Sequence, residues 1–265
     1  MYDFAYQKPA SVADAIKLLA GDPEAKPLAG GQTLIPVLKQ RLNKPTVLVD
    51  LSKLGLSGIS VAGNKLTIGA MTSHRTVESS AEVKKAIPAL AMMAGLIGDP
   101  AVRHRGTIGG SLANNDPTAD YPAASLALGA TIKTDKRSIA ADDYFQGMFT
   151  TALQPGEIIT AVEFPLPIEK AGYEKFRNPA SRYAMVGVFV AKGPAGVRVT
   201  VTGAGQNGVF RHKEMEAALA KNWSPDAIAG IKTPADGLNG DMHGSAEYRA
   251  HLITVIAKRA VAAAG

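Results

Sequence analysis

Two glycine pairs constrain this chain more than any other feature. One lies in Ala29-Gly30-Gly31-Gln32-Thr33 and the other in Thr107-Ile108-Gly109-Gly110-Ser111, each followed within two residues by a hydroxyl side chain. Consecutive residues without a Cβ let backbone N–H groups come close to an anion. Thr33 to Leu42 reads as a helix with Pro36 in its first turn, so free N–H groups and a positive dipole end stand directly after the first loop. Two such loops suit the two phosphates of one diphosphate. Two ordinary turns are the alternative reading.

Composition narrows the chemistry. The chain has 265 residues, 46% of them apolar and 20% charged, which is the balance of a soluble globular chain of about two domains. It has no cysteine, which excludes disulfides, thiolate nucleophiles, Cys-ligated zinc and a self-held iron–sulfur cluster, and fits a reducing compartment. No apolar run of about 18 residues predicts a membrane span. The start, MYDFAYQKPA, has no basic stretch before an apolar one, so no ordinary signal peptide is expected. The net charge of +6 is scattered among few aromatics, so it reads as a solvated surface or a face for an acidic partner rather than a nucleic-acid site.

Periodicity gives an α+β layout. Ser11 precedes Val12, Ala15, Ile16 and Leu19 on one helix face, with Asp14 at the capping-box position. Strands are predicted at Lys26 to Ala29 and at Thr46 to Leu51. A strand at Lys65 to Ala70 leads to a short helix capped by Thr72 or Ser73. Residues 81–97 read as helix broken at Pro88, and 98–117 as a long loop. Asp120 to Leu128 reads as helix, with strands at Ala130 to Thr134 and Ile158 to Phe164, and Pro165 and Pro167 suggest a boundary. Beyond it, strands are expected at 173–176, 187–191 and 197–202, then helices near 211–221, 225–231 and 245–263. Tyr248, Leu252, Val255 and Ile256 share a face of the last.

Competing motifs fare worse. Gly203-Ala204-Gly205-Gln206-Asn207-Gly208 matches G-x-G-x-x-G after a strand, but a dinucleotide fingerprint also needs a parallel strand after the helix, and none follows. There is no H-E-x-x-H or G-x-S-x-G, and the five histidines are dispersed. Arg103-His104-Arg105 could neutralise a phosphate, stabilise an anionic flavin or bridge to a partner. A solvated turn is the plainer alternative.

The run AGGQTLIPVLKQRL, then VLVDLSKL, IGAMTSH and IGDPAVRHRGTIGGSLANNDPTADYPAA, resembles the FAD-binding medium subunit of molybdenum hydroxylases, of the aerobic carbon monoxide dehydrogenase and xanthine dehydrogenase type. GEIITAVEFP, YEKFRNPASRYAMVGV and SAEYRAHL extend the likeness over essentially the whole chain. The resemblance implies a fold like that of vanillyl-alcohol oxidase, with FAD-binding subdomains at 1–53 and 54–167 and a C-terminal α+β domain, an antiparallel sheet with helices, at 168–265. It implies that Ala29, Gly30, Gly31, Gln32 and Thr33, with Thr107, Ile108, Gly109, Gly110 and Ser111, bind the diphosphate of FAD. Asn114, in the same stretch, is by the same resemblance a cofactor-binding residue. By the same resemblance Asp120 takes a ribitol or ribose hydroxyl, Ile97 lies against the flavin and Ile159 near the adenine. Lys175 is a basic contact and Tyr183 stands near the isoalloxazine face.

The resemblance also implies an electron-transfer role. A large partner subunit would hold the molybdenum cofactor and substrate, and a small one two 2Fe-2S clusters, in a dimer of heterotrimers. Neither nucleic acid nor a transmembrane span is expected. The location implied is cytoplasmic, with peripheral attachment at the inner face of the membrane as a variant. No side chain here needs to be an acid–base catalyst, and Arg103, His104 and Arg105 are candidates for the partner-facing edge. A nucleotide-binding or interaction subunit without redox function, and a self-contained flavin oxidase, stay open.

Overall fold

The computed structural model describes residues 1–265. The chain begins with β1 (Ala5–Gln7), α1 (Val12–Gly21), β2 (Lys26–Leu28), α2 (Leu34–Lys39) and β3 (Val47–Asp50). The three strands form a parallel sheet in the order β1-β3-β2. Ser11 caps α1, accepting from the Asp14 N–H at 3.1 Å, as the capping-box pattern predicts. Strand β1 is not visible in the sequence: its three side chains are exposed, so no alternation marks it. A small core of Ala15, Leu19, Ala25, Val49 and Leu51 closes over Ile158 from much later in the chain.

The second layer is an antiparallel sheet in the order β4-β5-β10-β6-β7. Its strands are β4 (Ile59–Ala62), β5 (Lys65–Gly69), β6 (Thr131–Thr134), β7 (Ser138–Ala140) and, after the two short strands β8 (Phe145–Gly147) and β9 (Thr150–Thr151), β10 (Ile159–Pro165). Between β5 and β6 come α3 (His74–Ser79), α4 (Ala81–Ala86), α5 (Pro88–Gly95), α6 (Pro100–Arg105), α7 (Ile108–Asn114) and α8 (Asp120–Ala127), and α9 (Ala141–Tyr144) follows β7. The expected long loop at 98–117 is therefore mostly two short helices. Asp99 caps α6, whose first residue is Pro100, and Thr107 caps α7. Both signals are ordinary N-terminal ones that the glycines obscure.

The third layer is the antiparallel sheet β11 (Lys170–Arg177), β12 (Ala184–Gly193), β13 (Gly196–Thr202) and β14 (Phe210–Arg211), with α10 (Lys213–Lys221) and α11 (Ala246–Ala263) on one face. Strand β12 is buried from Ala184 to Ala191 because both faces of the sheet are covered. Val186, Val188 and Val190 meet Ile253, Ile256 and Ala260 of α11. Phe189 and Ala191, with Tyr173 of β11, join the core of the second layer instead. The segment expected to be helical at 225–231 is one 3-10 turn, Pro225–Ile228. Tyr248 turns outward, while Leu252 and Ile256 face the core as expected. After Gly203–Gly208 comes the antiparallel β14, so this turn opens no dinucleotide unit. No helix is long and apolar enough to cross a membrane.

Candidate functional site

The first glycine loop bridges β2 and α2. Gly31 has φ +74°, a left-handed conformation that glycine adopts without strain. None of the backbone N–H groups of Ala29, Gly30, Gly31, Gln32 and Thr33 donates a hydrogen bond within the protein. Gln32 and Thr33 are exposed, and Thr33 makes no capping bond. Helix α2 has only six residues, so its dipole adds less than the sequence suggests.

The second loop is built differently. The N–H of Ile108 donates to Thr72 O at 3.2 Å and that of Gly109 to Ala70 O at 2.9 Å. Gly110 N–H donates to the Thr107 hydroxyl at 3.1 Å, and Ser111 N–H to Thr107 O at 3.0 Å. The expectation that both loops offer free amides is thus corrected. The first does, whereas the amides of 108–111 are bonded inside the fold.

Close packing joins the loops. A Cβ on Gly30 would overlap the Arg105 carbonyl oxygen, with Gly106 Cα only 2.9 Å away. A Cβ on Gly110 would stand 3.5 Å from that of Ala29, and one on Gly109 only 2.6 Å from that of Ala70. The open amides of the first loop therefore lie beside the Cβ-free surface of Gly110. That pairing of free donors with a clear approach fits a diphosphate.

Asp120 opens α8, and Lys175 comes from β11. Lys175 Nζ lies 3.0 and 3.1 Å from the two Asp120 carboxylate oxygens, and the Tyr173 hydroxyl donates to the same carboxylate. The two charged side chains are only 3% and 5% exposed. Burial is the largest influence on Asp120 and pushes its carboxyl up, against the pull of Lys175 and Tyr173. Tyr183 is half-exposed, and burial together with the charges of Asp116 and Asp120 raises its phenol. The structure therefore brings Asp120 and Lys175, with the Tyr173 hydroxyl, from distant parts of the sequence into one buried cluster. The joint between layers runs past it. The Thr202 hydroxyl donates to Ala119 O at 2.7 Å, and that of Thr200 to Ala123 O at 2.8 Å.

The other expected site residues sit as follows. Ile97 is half-buried, and its carbonyl accepts from Arg103 Nη1 at 3.0 Å. Asn114 is half-buried at the end of α7. Its neighbour Asn115 is left-handed and ties down the hairpin, donating to Gly147 O and Thr150 O. Ile159 is buried in the core of the second layer. Arg103 does not stand free at an edge, since it pairs with Glu78 at 3.1 Å. His104 and Arg105 are exposed, and Arg105 forms no ion pair. Beneath this turn His74 is buried and its imidazole pKa falls to about 4, through burial and then the charge of Arg103. Tyr173 and Gly187, which shape the ion pair, carry no local mark in the sequence.

Known proteins resemble this chain in sequence and in fold. Residues 2–167 match the family described as FAD binding domain in molybdopterin dehydrogenase. The carbon monoxide dehydrogenase medium chain of Afipia carboxidovorans is 37% identical, over 97% of this chain and 95% of that one. The nicotine 6-hydroxylase medium subunit of Paenarthrobacter nicotinovorans is 35% identical, over 98% of this chain and 96% of the relative. The solved structure of reconstituted CO dehydrogenase from Oligotropha carboxidovorans superposes with a TM-score of 0.89 at 34% identity, covering 99% of this chain and 98% of that one. The chain belongs to the family of FAD-binding medium subunits of molybdenum hydroxylases.

Proposed function

We propose that this chain is the electron-transferring flavoprotein subunit of a heterotrimeric molybdenum hydroxylase, linking 2Fe-2S clusters on a small partner to an external acceptor. A large partner would hold the molybdenum cofactor and the substrate, and two heterotrimers would pair. The observation that carries the reading is the joined pair of loops, five free amides of 29–33 lying beside the clear face of Gly110. Those amides would hold the diphosphate, with the Ser111 hydroxyl beside them. Ile97 would flank the flavin, and Asp120, Lys175 and Tyr183 would stand near its ribitol and ring. FAD, when bound, exchanges electrons singly or in pairs, the chemistry a link between iron–sulfur clusters and a two-electron acceptor needs.

The chain's part is to bind, orient and shield. We divide it into FAD-binding subdomains at 1–53 and 54–167 and a C-terminal domain at 168–265, each containing one of the three larger sheets. His104 and Arg105 form the proposed partner-facing edge, which Arg103 supports from beneath. Two relatives of nearly equal identity are named for carbon monoxide and for nicotine, which supports substrate choice residing on another chain. The test is purification of the chain with its partner subunits. Flavin absorbance with FAD released on denaturation is expected. A fully assembled but colourless complex that still binds nucleotide would refute the redox role.

A further inference from the structure

The buried pair of Asp120 and Lys175 has an odd donor balance. A lysine ammonium carries three N–H donors. Asp120 accepts two contacts from Lys175, and no other protein acceptor lies within hydrogen-bond reach of Nζ. An unmatched donor on a charged group only 3% exposed is costly unless something else receives it. Stability alone is a poor reason for such a pair, since apolar replacements of a buried ion pair are often neutral or better.

Tyr173 completes the arrangement. Its ring is fully buried and packs on Phe189 with centroids 5.8 Å apart, a site that phenylalanine would fill equally well. Its hydroxyl is what packing does not require. That hydroxyl donates to Asp120, and the opposite strand leaves room for it, because a Cβ on Gly187 would stand 2.6 Å away.

We infer that Tyr173 is a positioning residue of the cofactor site, holding the Asp120 carboxylate so that Lys175 keeps one N–H for the cofactor; this rests on the FAD reading above. Asp120 is then a positioning residue as well. Its three contacts with Tyr173 and Lys175 leave one of about four lone-pair sites for a cofactor hydroxyl. Without the Tyr173 hydroxyl, the carboxylate charge concentrates on Lys175 and draws the ammonium away from the cofactor.

The test uses the complex assembled with its partner subunits, stripped of FAD and titrated with it. Tyr173→Phe is expected to weaken FAD binding about tenfold, the scale of one hydrogen bond to a charged group. It should also make the flavin midpoint potential more negative, because less positive charge faces the reduced ring, and leave the melting temperature near wild type. Gly187→Ala displaces the same hydroxyl and should move affinity and potential in the same directions. If Tyr173→Phe does not assemble, Gly187→Ala is read in its place. If neither assembles, the hydroxyl serves the fold and the inference is overturned. Normal wild-type binding with affinity and potential unchanged in the variants overturns the role of Tyr173 alone. A wild-type complex that takes up no FAD overturns the cofactor reading and this inference with it.

Discussion

Gly30→Ala should be the most damaging methyl group that can be added to either loop. The new Cβ would stand 2.6 Å from the Arg105 carbonyl carbon and 2.9 Å from Gly106 Cα. Ordinary carbon–carbon contact needs about 3.5 Å, so the loops must separate by roughly 1 Å. Neither neighbour is a flexible side-chain end; both are backbone. The Gly106 turn is itself anchored, since its N–H donates to Val102 O at 2.7 Å and its carbonyl accepts from His74 N–H at 2.9 Å. Overpacking of this kind costs about 1–3 kcal/mol. A displacement of about 1 Å also takes the open amides of the first loop off a bound diphosphate, and losing one or two charge-assisted bonds lowers FAD affinity roughly a hundredfold or more. Gly230→Ala is the control, because it lies outside both loops and a Cβ there would meet nothing within 4 Å. The assay is the FAD-to-protein ratio of each purified complex, followed by FAD titration of the stripped protein. Full occupancy and wild-type affinity in Gly30→Ala would refute the argument that this contact sets the loops.

Three further outcomes are expected. Asp120→Ala leaves Lys175 as an uncompensated buried charge and should cost about 3–5 kcal/mol in urea unfolding, whereas Asp120→Asn combined with Lys175→Met should cost clearly less. Glu157, held by the Arg137 guanidinium, has a folded pKa of about 2 against an ordinary 4.5, so its contribution is complete above the ordinary value and disappears as pH falls towards the folded one. The urea midpoint should fall between about pH 6 and pH 3 by more in wild type than in Glu157→Gln. Finally, a chain without cysteine cannot hold the clusters itself, so flavin on the isolated chain should bleach with dithionite and stay oxidised with any substrate of the whole enzyme. Rapid anaerobic bleaching by a substrate would show a self-contained oxidase.

Much of the local structure was legible because its cause is local. Ser11 and Asp14 announce the start of α1, and Ser73 that of α3, through side-chain oxygens that accept from amides three residues on. Both glycine loops stand out by composition. The two helices between residues 98 and 117 read as loop although Asp99-Pro100 and Thr107 are ordinary starts, because six- and seven-residue helices show no apolar period. Strand β1 was missed because its exposed side chains carry no pattern.

The sequence by itself determined which residues could approach an anion, that no cluster could be ligated here, and that no dinucleotide unit follows Gly203. Each depends on side-chain identity or spacing within a few residues. Tertiary structure decided which glycines clear a path and which simply allow packing. Gly30 owes its place to the Arg105 carbonyl and Gly109 to Ala70, neighbours some 75 and 39 positions away along the chain. It also decided that only the first loop keeps its amides free, since the acceptors for Ile108 and Gly109 lie on Thr72 and Ala70. The ion pair between Asp120 and Lys175 is non-local in the same way. Its strength depends on burial at the joint of two layers, and burial belongs to the folded chain as a whole.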